Sequence, residues 1–186
     1  LAVSSVGWFY FIYFFSIGYG FTISVLSVAT AIIFRDVITL PIALLCAVLF
    51  IYGIRLGLYL LIREKKSEAY KKILYQPEST KKKPAFVMTM IWLMCALLYV
   101  GQISPATFYL YNITEGLPVN DAWAWAGTIV ATLGIVIEAI ADAHKSKSKK
   151  VNPGRYVDTG LYRIVRCPNY FGEILMWTGS FIICFG

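Results

Sequence analysis

Four side chains within one apolar run, Tyr52, Arg55, Tyr59 and Arg63, follow one another at spacings of three, four and four residues and so share one face of a helix. Arg55 stands roughly 12 Å along such a helix from Arg63. A charge that deep is costly without a partner, so an acidic side chain or a phosphate is expected beside it. Glu138 and Asp142 form an i, i+4 acidic pair at the end of another apolar run. The third group is the stretch "TGLYRIVRCPNYFGE", residues 159–173, which puts ionisable groups at the mouth of an apolar run. Pro168 suits the first position of a helix, where a missing N–H is no loss. The helix then opens with free backbone N–H groups, which attract anions. Arg163 and Arg166 flank that opening, and Lys145, Lys147, Lys149 and Lys150 precede it. Asn169 adds an amide that donates and accepts, Gly172 permits close approach, and Glu173 lies on the same face as Asn169. The chemistry implied is an anion site, of the size and charge that a nucleotide's phosphates need.

Each group also has a plainer reading. Arg63 can snorkel to headgroups, and Tyr52 and Tyr59 can belong to an interfacial aromatic belt. Glu138 can pair with Arg55 as structural glue. His144, the single histidine, sits in a basic run and reads as a bystander.

The elements that must position these residues are membrane spans. Hydrophobic residues make up 59% of 186, in long runs, and the mean hydropathy is +0.68. Residues 1–34 carry no charge and form one span plus part of another, or a long tilted helix, with "SIGYGF" as the place for a bend. Arg35 and Asp36 mark a turn, and spans follow at 37–62, 85–112, 122–141 and 168–186. "SEAYKKIL" reads as a short amphipathic surface helix. The expected fold class is an all-α polytopic membrane helix bundle with five or six spans visible and seven in a full-length protein. The whole of 1–186 reads as a single transmembrane catalytic domain truncated at both ends.

Of the 17 Lys and Arg residues, eight lie in 63–83 and seven in 145–166, whereas 113–121 holds Glu115 and Asp121 and no cation. The two basic loops are therefore expected in the cytosol and the acidic one outside. Short basic loops between spans need no nucleic-acid partner. The four cysteines form no CxxC pair, so neither a disulfide frame nor a metal site is expected. "NIT" at 112–114 is a glycosylation sequon on the exterior side.

Residues 138–173, "EAIADAHKSKSKKVNPGRYVDTGLYRIVRCPNYFGE", resemble the core signature of the steroid 5α-reductase superfamily, especially its bacterial branch. "YGIRLGLYLLIRE" resembles that family's Tyr/Arg helix, and "EAYKKIL" the acidic-Tyr motif after it. Cys167 departs from the pattern, standing where the bacterial branch carries a His. The resemblance implies an NADPH-dependent reductase acting on the carbon–carbon double bond of a lipid enone such as a 3-oxo-Δ4 steroid. Tyr52 and Glu173 are then the catalytic candidates, with Tyr52 matching the tyrosine that meets the substrate carbonyl. Asp142, Asn169 and again Glu173 match cofactor positions, with Arg63 and Arg166 as phosphate partners and Glu138, Lys149 and Arg55 as further cofactor candidates. No Asp or Glu in 1–34 supplies the family's acidic partner to that tyrosine.

The resemblance implies an integral protein of a bacterial inner membrane or the endoplasmic reticulum, its cofactor site facing the cytosol and its substrate a lipophilic small molecule from the bilayer. Two other readings share the sequence features. One is an S-adenosylmethionine-dependent methyltransferase acting on a lipid or prenylated substrate, and the other a non-catalytic lipid-binding membrane protein.

Overall fold

The computed structural model describes residues 2–8, 11–14, 17–66 and 84–186. Among these the secondary structure is helical, with six α-helices and no strand. They are α1 (Ile17–Ile33), α2 (Leu40–Lys66), α3 (Ala85–Thr114), α4 (Asp121–Val151), the single turn α5 (Leu161–Ile164) and α6 (Pro168–Ile182). Three of them, α2, α3 and α4, are long and apolar enough to cross a bilayer. With no water to satisfy backbone groups, a spanning chain closes its hydrogen bonds within helices, and the protein is an all-α integral membrane protein. The apolar α1 and α6 are shorter, at 17 and 15 residues, than the ~20 a span needs.

The expected spans thus recur as five apolar helices with shifted ends. The first apolar run, expected as one span plus part of another or a long tilted helix, is described in three pieces. Its described part has 3₁₀ turns at Val3–Trp8 and Phe11–Phe14, and α1 begins within the "SIGYGF" stretch. "SEAYKKIL" lies outside the described residues. The turn at 34–37 carries the exposed Arg35–Asp36 pair.

The chain divides into two compact units. The first comprises Leu1–Ile38 and Cys46–Ser104. Here α1 and α2 meet backbone to backbone. A Cβ on Gly53 would lie 2.3 Å from the Gly20 carbonyl oxygen, and one on Gly20 would lie 2.7 Å from the Gly57 nitrogen. Lipid tails give apolar helices no reason to associate, so close packing of small residues supplies the attraction. The Ser24 hydroxyl donates to the Phe50 carbonyl at 3.0 Å across the same seam. The lower part of α3 docks through polar caps on aromatic rings: Trp92 Nε1 donates to Ser4 Oγ at 3.0 Å, and Tyr99 donates to the Phe14 carbonyl. Pro105 interrupts α3 and leaves the Gly101 carbonyl without its usual N–H. The Ser104 hydroxyl takes that carbonyl at 2.9 Å.

The second unit comprises Thr39–Leu45 and Pro105–Gly186. Asn120 caps α4, its side chain accepting from the Ala122 N–H at 3.0 Å, and Asp121 complements the helix dipole. Tyr109 donates to Asp121, and Thr128 Oγ1 donates to the Pro41 carbonyl at 3.1 Å. Antiparallel α4 and α6 then pack along a stripe of small residues. Cβ atoms added at Gly127, Gly134, Gly172 and Gly179 would each meet the opposing helix within 2.3–2.5 Å. The Asn120 N–H, donating to the Gly186 carbonyl at 2.7 Å, fixes the far end of this pair.

Candidate functional site

The site of the second unit is built where α4 outruns its apolar part. The apolar sequence stops at Ala143, yet the helix continues through "HKSKSKKV" to Val151. Lysine is a good helix former, and Lys149 and Lys150 in the last turn suit the negative end of the dipole. Pro153 disfavours helical dihedrals at Asn152, and there α4 ends. The chain then turns back along the helix it has just left. Lys149 Nζ donates to the carbonyls of Pro153 and Arg155 at 3.0 and 2.8 Å. Further on, His144 Nε2 and Thr159 Oγ1 share a hydrogen bond of 2.9 Å, and Tyr162 donates to the Ala141 carbonyl at 3.3 Å. Gly160 makes the return possible: its φ of +58° suits glycine, and a Cβ there would lie 2.9 Å from the His144 ring.

α6 starts at Pro168, as the sequence predicts, with no side-chain cap from Cys167. Phe171 makes the first helical hydrogen bond, to the Cys167 carbonyl at 3.1 Å, so the N–H groups of Asn169 and Tyr170 precede the helical ladder. Between this helix start, the end of α4 and the returning segment of chain lies an open cavity of about 730 Å³. Its walls include four cations, Lys145, Lys149, Arg163 and Arg166, with Asn169 and Tyr156 beside them. Asp158 is the one carboxylate in the lining, and Arg155 holds it at 2.8 Å. The hydrogen bond from Arg155 keeps the Asp158 carboxyl below the usual carboxylate range. The volume falls within that of ligand sites, and the cations outnumber the carboxylate, as phosphate groups require.

Of the predicted site residues, Lys149, Arg166 and Asn169 line this cavity. Asp142 and Glu138 stand about two and three turns before Lys149 on α4, both buried. Glu138 is against the α4–α6 seam, its Cβ 3.0 Å from where a Gly172 Cβ would be. Glu173 is half-buried beside Gly172 on α6. The exposed Cys167 is at the cavity wall, in the position where the sequence departs from the family pattern.

Tyr52, Arg55 and Arg63 belong to the first unit. Tyr52 is buried, the Arg55 guanidinium lies 5.6 Å from its ring centre, and Arg63 lies 5.9 Å from that of Tyr59. The shared face expected from the spacing is therefore present, as two cation–π pairs stacked along α2.

Sequence reasoning missed the returning chain. Tyr156, Val157 and Asp158 form a wall of the cavity, and His144, read as a bystander, holds that chain to α4. The local signals were Asn152-Pro153-Gly154 and Gly160, which mark turns without saying what they pack against.

The family described as "Protein of unknown function (DUF1295)" matches residues 14–186. Among curated proteins, the steroid 5-alpha-reductase DET2 of Arabidopsis thaliana is 38% identical over 63 residues, 31% of this chain and 24% of the relative. The protein of the same name from Gossypium hirsutum is 36% identical over 66 residues, 32% of this chain and 26% of the relative. The matched stretch spans about a quarter of the length of these curated relatives. No solved structure matches.

Proposed function

This chain belongs to the DUF1295 family, within the steroid 5α-reductase superfamily, and on that premise we propose that it is a membrane-embedded, NADPH-dependent reductase of a lipid enone. The substrate is of the 3-oxo-Δ4-steroid type, and the cofactor site faces the cytosol, where the basic loop 145–166 lies by the positive-inside rule. The observation that carries this reading is the cationic cavity, with Lys145, Arg163 and Arg166 converging on the N-terminal turn of α6. These residues fit the phosphates of NADPH, and Asn169 offers an amide to its sugar or nicotinamide end. NADPH, when bound, supplies the hydride.

Reduction of an enone builds negative charge on the carbonyl oxygen, and a pre-placed donor there lowers the barrier. Tyr52 is the residue that serves as this donor. Its phenol is buried, and Arg55 over the ring helps fix its orientation. Outside the cavity lining, Glu138 and Asp142 are buried on α4 and Glu173 is half-buried on α6, as further polar groups of the same helix pair.

The test is thermal unfolding of the full-length protein in detergent with NADPH or S-adenosylmethionine. At a hundredfold excess over Kd, a ligand stabilises by about 2.7 kcal/mol. For a protein this size that raises Tm by about 5–10 °C. A shift with NADPH alone, lost in Asn169→Ala, is expected. A shift with S-adenosylmethionine alone would replace the reductase by a methyltransferase, and no shift with either would leave a lipid-binding protein.

A further inference from the structure

Resting on the reading that the cavity takes a nucleotide, we infer that His144 is a positioning residue for nucleotide binding, acting through Thr159 and not by contact. His144 is absent from the cavity lining, yet the segment it holds is a wall of it. That wall, Tyr156, Val157 and Asp158, has open space on both sides. Opposite the cationic cavity it borders a second one of about 440 Å³, lined also by His144, Lys147, Ser148 and Asn152. Tyr156 is 75% exposed and Val157 and Asp158 are only half-buried, so no side chain of the wall is anchored in a core. Its position depends on the attachments at its two ends.

Those attachments lie on adjacent stripes of α4. Lys149 grips the near end through the carbonyls of Pro153 and Arg155. His144 grips the far end twice: Nε2 bonds Thr159, and the imidazole edge meets Gly160, where a Cβ would lie 2.9 Å away. Tyr162, its ring centre 6.1 Å from that of His144, closes the contact from the other side. The ring thus sets both the height of the wall above α4 and its register along it. A wall free to lift would bring Tyr156 and Asp158 to the nucleotide at an entropic penalty, weakening binding without removing any direct contact.

The experiment compares wild type, His144→Ala, His144→Gln and Thr159→Val in the full-length protein. Amide hydrogen exchange over residues 155–160 is read without nucleotide, and the Kd for NADPH is measured alongside. His144→Ala and Thr159→Val are each expected to speed exchange and to raise Kd by about two- to tenfold, the range of one net hydrogen bond. The double variant should do no worse than His144→Ala alone, because that substitution already removes the bond that Thr159→Val breaks. His144→Gln, which keeps a donor and acceptor at similar reach, should recover part of the loss. Unchanged exchange in His144→Ala, or faster exchange with an unchanged Kd, overturns the inference, as does additivity of the two substitutions. If wild type itself fails to bind NADPH, the reductase reading falls. Exchange then still decides whether His144 holds the wall, and an unchanged rate rejects it.

Discussion

Substituting Gly172 by alanine tests the seam that sets the site's geometry. A Cβ at this position would lie 2.5 Å from the Gly134 carbonyl oxygen and 2.7 Å from the Glu138 nitrogen. Both are backbone atoms of α4, so no side-chain rotation relieves the clash. The nearer contact is almost an ångström short of the 3.4 Å at which ordinary contact begins. α6 must therefore move away from α4, and a gap of 0.5–1 Å forfeits about a quarter to a half of each dispersion contact along the stripe. Overpacking of this kind costs about 1–3 kcal/mol. The better helix propensity of alanine returns about 1 kcal/mol. The net loss is about 0–2 kcal/mol, and relative to a control that gains the propensity alone the whole overpacking cost should lower Tm by about 2–12 °C in detergent. Gly101→Ala is the control. Nothing lies within 4 Å of a Cβ there, and the same propensity gain should leave Tm equal or higher. Because Asn169 stands one turn before Gly172 on the displaced helix, Gly172→Ala should also weaken NADPH binding. A Gly172→Ala protein as stable as the Gly101→Ala control would refute the close packing of α4 on α6.

Three further outcomes are expected. Tyr52→Phe should lower turnover of an enone by about a hundredfold, the usual loss for one oxyanion donor, while NADPH-induced stabilisation stays at the wild-type level. An equal loss of nucleotide binding would remove Tyr52 from the substrate-donor role. Tyr109→Phe removes the hydroxyl that donates to Asp121 beside the start of α4, and should cost about 1.5 kcal/mol of stability, read as a fall in Tm. The Arg155–Asp158 pair should close the turn within the returning chain at neutral pH and loosen it in acid. Asp158 titrates below its unfolded value, so its contribution is complete above the ordinary carboxylate range and is lost as pH falls through its lower folded value. Amide exchange over residues 155–158 should rise on that descent in wild type, and Asp158→Asn should abolish the dependence.

The amino-acid sequence by itself determined the helical membrane class, because the transfer free energy of long apolar runs depends on composition and length alone. It also determined the Tyr52–Arg63 face and the start of α6, since helical periodicity and the missing N–H of Pro168 are local properties. Hydropathy did not mark the end of α4: it reports transfer into lipid, whereas lysines beyond the bilayer still favour helix, and the stop came from Pro153. Only the tertiary structure decided which glycines face one another. Gly127, Gly134, Gly172 and Gly179 acquire their role from the register of two antiparallel helices, a long-range relation that no window of sequence contains. The same holds for the wall at Tyr156 and Asp158. It exists because the chain after Pro153 folds back onto His144 and Lys149, fifteen and six residues from Thr159 and Arg155. Hydrogen bonds at those separations depend on the path of the turn, and that path exists only once the chain lies back along α4.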